Sequence, residues 1–170
     1  IMIINPFIFG SAAPSFINDY STLFEGVDEF VSCGEPLVLD SATNFSFSTW
    51  MKTSSTALQG VFTYIDSTIK WIELNISSTA VTVILSNGAT TLGKANGEAP
   101  TLNTWYNYTM VFNGGGATNA DRLKLYINGV EKTLTFTGTI PSTTAAMSSG
   151  IIPFKLGARM AGTNYFIGNI

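Results

Sequence analysis

The chain has 170 residues and a mass of 18.2 kDa, which is the size of one domain. Hydrophobic residues make up 45% of the chain and charged residues only 11%, a composition that excludes intrinsic disorder. Its 22 Thr, 16 Ser and 16 Gly, together with 12 Phe, favour strands and turns over helices. Eight basic and eleven acidic residues give a net charge of −3, without the basic cluster on which nucleic-acid binding depends.

Two further absences narrow the chemistry. The chain contains no histidine, which excludes Ser-His-Asp triads and His-ligated zinc or copper sites. The single cysteine, Cys33, cannot form an internal disulfide. No apolar run approaches the roughly 20 residues that span a bilayer, so we do not expect membrane insertion.

Residues 1–20 are interpreted as an arm that leads into the domain. Seven of the first nine residues are apolar, and no Lys or Arg precedes them as in a signal peptide. Because the sequence starts at Ile, we expect it to be a segment of a longer or processed polypeptide. The arm residues expected to dock onto neighbouring subunits are Ile3, Ile4, Phe7 and Phe9.

Short strand patterns then recur to the end of the chain, and no 11-residue window shows helical amphipathicity. About ten strands separated by turns predict an antiparallel all-β domain over residues 21–170, with a sandwich favoured over a barrel. In chain order the predicted strands are Ser21–Val31, Phe45–Lys52, Gly60–Ile65, Lys70–Ile76, Ala80–Ser86, Ala89–Gly93, Trp105–Asn113, Leu123–Ile127, Val130–Phe136, Phe154–Ala158 and Tyr165–Ile170.

Two Asn-Gly pairs predict tight hairpins. Asn and Gly both tolerate positive φ, which a type I′ turn needs at its two central positions. Asn87-Gly88 follows the strand Ala80–Ser86, and Asn128-Gly129 follows Leu123–Ile127. We therefore predict a type I′ hairpin at each place.

Four segments in this order carry a resemblance to a known family. Each resembles one of its strand motifs: F-D-G-x-D-D-Y-V, F-S-I-S-x-W-V-K, W-H-H-V-A-x-V-Y and L-x-L-Y-V-N-G. The segments are Phe24–Val31 (FEGVDEFV), Phe45–Lys52 (FSFSTWMK), Thr104–Phe112 (TWYNYTMVF) and Leu123–Val130 (LKLYINGV). The chain thus resembles the laminin-G-like or pentraxin-like branch of the concanavalin A-like lectin/glucanase superfamily, of the kind found in bacteriophage virion proteins.

The resemblance implies a jelly-roll β-sandwich of two packed antiparallel sheets. The chain departs from the family pattern at Tyr106-Asn107, where the family has His, and at Glu25, where it has Asp. The sequence also stops at Ile170, where the family continues its final strand beside the opening one. We therefore expect an incomplete final strand and unpaired backbone in part of Ser21–Val31, which a continuation, the arm or a neighbouring subunit would cover.

Catalysis by a glycosidase is a remote alternative. A glucanase of this superfamily would resemble E-x-D-x-x-E on one strand, with its carboxylates close together on one face. Here Glu25 and Asp28 would lie on opposite faces of a strand. Glu25 and Glu29 would share a face but lie roughly 13 Å apart, whereas retaining glycosidases need about 5 Å. We therefore expect the chain to have no enzymatic activity.

Calcium is a better candidate than catalysis because oxygen ligands are plentiful. The resemblance implies a Ca²⁺ site on the rim of the sandwich, and Asp28 and Asp121, with carbonyls in Asn113–Asn119, are the candidate ligands. The alternative is that Asn, Asp and Gly stand there because turns need them.

Aromatic side chains are candidates for stacking on sugars. Trp50 and Trp105 lie in strands that the resemblance places in the core, where large aromatics are expected. Trp71 is the tryptophan most open to exposure, and Tyr165 beside Asn164 is a second candidate for the rim.

The sequence thus predicts a non-catalytic recognition or structural module of a larger surface assembly. A phage virion protein, as a fibre or capsid decoration with possible glycan binding, is the favoured hypothesis. Its location would be the virion or another extracellular surface, and its partners other subunits and glycans. The alternative is a calcium-dependent carbohydrate-binding module of a secreted or cell-surface bacterial protein.

Overall fold

A computed structural model of the chain shows two antiparallel β-sheets packed face to face. The predicted arm residues Ile3, Ile4, Phe7 and Phe9 lie outside the part of the chain that the structure describes. The described residues are 20–67, 70–88, 92–96, 98–147, 153–159 and 163–170.

Thirteen strands are found in the described residues, and they confirm the all-β sandwich. The only helical segments among these residues are a 3-10 turn at Leu37–Leu39 and the short helix α1 at Asn119–Arg122, and neither could cross a membrane. The strands are β1 Leu23–Glu25, β2 Val31–Ser32, β3 Asn44–Thr53, β4 Gln59–Ser67, β5 Lys70–Ile76, β6 Ala80–Asn87, β7 Leu92–Asn96, β8 Tyr106–Asn113, β9 Leu123–Ile127, β10 Val130–Lys132, β11 Thr135–Thr137, β12 Lys155–Leu156 and β13 Ile167–Asn169.

The first sheet has six strands in the order β1-β13-β3-β8-β9-β10. At its centre β3 pairs with β8 from Asn44 opposite Asn113 to Met51 opposite Tyr106. Side chains alternate across the sheet, so Tyr108 and Met110 of β8 face inward, while Ser48 of β3 and Asn107 and Thr109 of β8 face outward.

The second sheet has seven strands in the order β11-β7-β6-β5-β4-β12-β2. Its central strand β5 is buried on both faces, since every residue from Trp71 to Ile76 is buried. Such a strand does not show the alternation of exposed and buried residues that marks a half-buried strand.

The core lies between the two sheets. Phe47 of the first sheet packs on Phe62 of the second with ring centroids 4.0 Å apart, and Phe154 contacts both rings. Tyr108 and Phe112 of β8 are among the fully buried side chains. The burial of these aromatic side chains removes on the order of several hundred square ångströms of apolar surface from water. Such burial is the main favourable contribution to the free energy of folding.

The opening strand differs from its prediction. The predicted strand Ser21–Val31 is two short strands, β1 in the first sheet and β2 in the second. Gly26 separates them with φ +84°, and a Cβ there would lie 2.3 Å from Ile167. The prediction of unpaired backbone in the opening strand is wrong for β1, because Leu23–Glu25 pairs with Asn169–Ile167 of β13.

One of the two predicted hairpins is confirmed. Asn128 and Gly129 have φ +51° and +77° and join β9 to β10 in a type I′ arrangement. The prediction at Asn87-Gly88 is wrong, because Asn87 belongs to β6 and β7 begins only at Leu92. The side-chain amide of Asn87 instead donates to Thr143 and Thr144.

Candidate functional site

The rim at the β8–β9 connection contains Asp121, one of the two predicted calcium ligands. Thr118 caps α1, and its hydroxyl accepts from the Asp121 amide. The Asp121 carboxylate accepts in return from the Thr118 amide at 3.0 Å and from its hydroxyl at 2.7 Å. These hydrogen bonds hold the pKa of Asp121 below its usual value. The carboxylate thus serves a capping box.

Several other oxygens of this rim are also engaged. Arg122 donates to the carbonyls of Gly116 and Ile140, and the Asn119 side-chain oxygen accepts from the Ile140 amide. The Asn113 side-chain oxygen accepts from Gly115. A cation that needs six to eight oxygen ligands would have to displace these hydrogen bonds.

Asp28, the other predicted calcium ligand, lies at the opposite end of the first sheet. It follows β1, whose end lies beside Thr53, whereas Asp121 lies beyond the Asn44 end of β3. Nine residue steps along β3 correspond to roughly 30 Å, so the two carboxylates cannot share one ion. Among the described residues no three His, Cys, Asp or Glu side chains form a metal-binding group.

Trp71, the predicted sugar-stacking residue, is buried. Its exposed fraction is 8%, and it packs with Ile65 and Ile84 in a small apolar cluster on the second sheet. The prediction of a stacking role is therefore wrong for Trp71. Its indole N–H has no hydrogen-bond partner among the described residues.

Asn164 and Tyr165 lie far from Trp71. Asn164 is exposed with φ +53°, and its carbonyl accepts from Gly60 at the start of β4. Gly60 is opposite Asn75, and Trp71 lies four residues away along β5, or about 13 Å. Tyr165 is half-buried. The three predicted sugar ligands are therefore not assembled into one site.

The exposed tryptophan is Trp50 on the outward face of the first sheet. Its exposed fraction is 36%, so the expectation that it fills the core is wrong. Lys52, two residues further along the same face, places Nζ 5.3 Å from the ring centroid of Trp105, which is itself only half-buried. Trp50 is directly opposite Asn107. Of the two tryptophans expected in the core, Trp50 is thus exposed on β3 and Trp105 is half-buried just before β8.

Hydroxyl and amide groups continue this face beside Trp50. The Ser48 and Thr109 hydroxyls, on paired residues, are 2.8 Å apart. The Asn107 amide donates to Ser48 at 3.2 Å, and its oxygen accepts from the Thr109 hydroxyl at 3.1 Å. We call Ser48, Trp50, Asn107, Thr109 and Tyr126 the outward patch.

Tyr126 extends the outward patch onto β9, opposite Thr109. Its hydroxyl donates to Glu131 of β10 at 3.2 Å, and Lys124 lies 3.2 Å from the same carboxylate. The hydrogen bond that Lys124 donates to Glu131, followed by the negative charge of that carboxylate, raises the pKa of Lys124. The charges at this margin are therefore paired, and the patch itself offers neutral donors and acceptors.

Glu73 is a buried acid that the sequence analysis did not single out. It is fully buried on β5 and accepts from Arg159 at 2.7 Å, from Asn75 at 2.5 Å and from Thr63 at 3.3 Å. The pattern Trp71-x-Glu73-x-Asn75 places these residues on one face, which was the available signal. Because its oxygens are engaged by three partners, Glu73 has the environment of a structural ion pair.

An apolar cavity of about 250 Å³ opens beside β3. Its lining is too apolar for a sugar, which needs convergent hydrogen-bonding groups. The lining residues are Cys33, Pro36, Val38, Leu39, Phe45, Ser46, Phe47, Phe62, Ile72 and Phe154.

Comparisons with known proteins agree with this architecture. The family model Laminin_G_3, described as Concanavalin A-like lectin/glucanases superfamily, matches residues 25–170. No curated protein sequence matches the chain at a significant level.

A solved structure with a TM-score above 0.5 has the same fold at low sequence identity. Domains LG4-5 of the mouse laminin alpha1 chain match with a TM-score of 0.58 and 12% identity, over 92% of this chain and 41% of that one. This chain thus spans less than half of the laminin structure. The native heptameric SAP-like pentraxin from Limulus polyphemus matches with a TM-score of 0.47 and 13% identity, over 75% of this chain and 60% of that one.

Proposed function

Because the chain belongs to the laminin G-like family of the concanavalin A-like lectin/glucanase superfamily, we propose that it is a non-catalytic recognition module of an extracellular surface assembly and binds glycans on its outward patch. The assembly in this proposal is a phage virion, to which the chain contributes a fibre or decoration domain. This part rests on the family resemblance and the Thr/Ser/Gly-rich composition.

The exposure of Trp50 beside a row of neutral hydroxyl and amide groups carries the glycan proposal. Sugars present apolar ring faces and many hydroxyls, so a site for them combines an aromatic platform with donors and acceptors. Trp50 supplies the platform, while Ser48, Asn107 and Thr109 supply the polar groups. The sheet holds them in fixed positions because they lie on paired strands.

The positions of the carboxylates support a role without catalysis. Glycosidases need two carboxylates across the scissile bond, one as acid and one as nucleophile or base. On the outward face Glu131 is engaged by Lys124 and Tyr126, and on β5 Glu73 is engaged by Arg159. Glu29 accepts from the Glu25 amide.

A glycan array tests the proposal, with the wild-type chain and two variants compared in the presence of EDTA. Trp50→Ala is expected to weaken binding about tenfold or more, since buried tryptophans at interfaces contribute about 2 kcal/mol or more. Phe30→Ala is the matched control, because Phe30 has a similar exposed fraction of 40% but precedes β2 of the other sheet.

Two results would overturn the proposal. A folded wild-type chain that binds no glycan would remove the recognition role. Selective binding that Trp50→Ala leaves unchanged would place the ligand away from the outward patch.

A further inference from the structure

The rim between β8 and β9 is held by one arginine that reaches two loops. Arg122 Nε donates to the Gly116 carbonyl at 2.8 Å, and Nη1 donates to the Ile140 carbonyl at 2.7 Å. Gly116 belongs to the β8–β9 connection, whereas Ile140 belongs to the segment after β11. The guanidinium therefore joins two parts of the chain that are 24 residues apart in sequence.

The segment 138–140 after β11 is also held by Asn119, the first residue of α1. Asn119 donates to the Gly138 carbonyl at 2.9 Å and accepts from the Ile140 amide at 2.9 Å. Ile140 itself is fully buried in the core. The four-residue helix α1 thus carries two side chains, Asn119 and Arg122, that anchor residues 138–140.

Convergence of backbone carbonyls from separate loops is an arrangement that a hard cation can stabilise. A guanidinium can do the same, because it is always charged and presents several donors in a rigid plane. Arg122 meets both carbonyls at distances typical of charge-assisted hydrogen bonds. Asp121, the carboxylate next to it, is engaged by Thr118.

The acidic residues do not supply an alternative ion site at this rim. Ten of the eleven Asp and Glu residues lie in the described part of the chain, since only Asp19 falls outside it. Among those ten, no three gather into a group that could hold a metal ion.

We propose that the Arg122 guanidinium is a built-in cation that joins the rim loops, so that the domain keeps this rim ordered without Ca²⁺. The proposal concerns the rim at the Asn44 end of β3 and is independent of the glycan site on the outward patch. Failure of either proposal leaves the other standing.

Thermal unfolding of the full chain tests it. The wild-type midpoint is expected to be the same in EDTA and in millimolar CaCl₂. Arg122→Gln removes the charge and is expected to lower the midpoint by roughly 5–10 °C in both solutions, since two charge-assisted hydrogen bonds are lost. The control Lys132→Gln, which breaks the surface pair with Glu98, should change the midpoint by less than about 2 °C.

A wild-type midpoint that rises in CaCl₂, or a stoichiometric Ca²⁺ isotherm in calorimetry, would overturn the proposal. So would an Arg122→Gln midpoint no lower than that of the Lys132→Gln control. If Arg122→Gln does not fold, Arg122→Lys provides the test, because lysine keeps the charge but lacks the planar fork. Its midpoint is expected to be lower than that of the wild type, and an unchanged midpoint would contradict the two-carbonyl role.

Discussion

At the scale of single residues, Tyr64 shows how burial changes an ordinary ionisation. It is buried and donates a hydrogen bond to Asp40. Burial, followed by the charge of Asp40, raises the pKa of Tyr64 to about 12. Because the folded pKa exceeds the unfolded value of about 10, the neutral phenol stabilises the fold fully below pH 10. This contribution is lost as the pH rises toward 12.

The expected outcome is a steeper alkaline loss of stability in the wild type than in Tyr64→Phe. Urea midpoints measured between about pH 8 and 11 would show it, because phenylalanine cannot ionise. Tyr20→Phe is the control, since Tyr20 is 91% exposed. Equal slopes for the wild type and Tyr64→Phe would contradict the burial argument.

Gly114 is a second residue whose identity is set by its surroundings. A Cβ at Gly114 would lie 1.8 Å from the Ser142 carbonyl oxygen, whereas one at Gly115 would meet only the Asn113 side chain at 3.4 Å. We expect Gly114→Ala to lower the free energy of unfolding by about 3 kcal/mol, because the backbone at Gly114 or at Ser142 must move to make room for the methyl group. Gly115→Ala should cost less than about 1 kcal/mol. Urea denaturation of both variants measures the difference, and equal costs would show that the loop relaxes freely.

The three tryptophans show what single residues in the sequence could and could not predict. The sequence predicts Trp50 and Trp105 in the core and Trp71 as the one most open to exposure, whereas Trp50 is exposed, Trp105 is half-buried and Trp71 is buried. Residue type does not distinguish the two faces of a strand. The neighbouring residues distinguish them. In β3, Phe47 and Met51 face inward, so Trp50 faces outward. Trp71 lies on a central strand that is buried on both faces.

At the scale of elements, β3 has a well-paired side and a sparsely paired side. It pairs with β8 over eight residues, but with β13 only at Lys52 and Thr53. The Thr43 carbonyl accepts from Gly114, so odd-numbered residues bond toward β8 and even-numbered residues point away from it. No strand among the described residues pairs with Ser46 and Ser48 on that side.

Amide hydrogen exchange should therefore alternate along β3. The amides of Phe45, Phe47 and Thr49 are expected to be protected, and those of Ser46 and Ser48 to exchange much faster. Two-dimensional NMR after transfer to heavy water gives the individual rates. Equal protection of both sets would mean that another segment or chain covers this edge in solution.

Turn chemistry explains why the elements were predicted better than their connections. Asn128-Gly129 forms its type I′ turn because the flanking strands β9 and β10 pair directly. Asn87-Gly88 has the same local signal, yet Asn87 remains in β6 and bonds to Thr143 and Thr144. A contact with residues 56 positions away cannot be read from a dipeptide. The order of the family motifs predicted the strands. The turns and the site depend on long-range contacts, which the sequence does not show.

At the scale of the whole molecule, the Glu73–Arg159 pair ties β5 to the segment after β12. The Glu73 side chain has no exposed surface and that of Arg159 is 22% exposed. Arg159→Met is expected to lower the free energy of unfolding by about 3 kcal/mol, because it leaves a buried carboxylate without its cation. The double variant Glu73→Leu with Arg159→Met should recover most of that loss.

Urea denaturation of the three chains measures these differences. Lys132→Met is the matched control, since it breaks the more exposed pair with Glu98 and should cost less than about 1 kcal/mol. If the double variant were as unstable as Arg159→Met, the loss would come from packing and not from the unpaired charge.

The assembly role of the arm stays a prediction that concerns the whole chain. Among the described residues the buried core cluster runs from Phe24 to Phe166, and Ile170 packs against it. The arm adds seven apolar residues among its first nine. Burial of these side chains against a neighbouring subunit would favour association, at about 25 cal/mol per Å² buried.

Light scattering coupled to size exclusion is therefore expected to show a monomer for residues 20–170 and a larger species for residues 1–170. The fourfold variant with Asp at Ile3, Ile4, Phe7 and Phe9 should behave as the shortened chain does, because charged side chains cannot be buried without partners. Monomers of the full chain at high concentration would contradict docking between copies. In that case the apolar arm would need a different partner, and capture of that partner would have to depend on the same four residues.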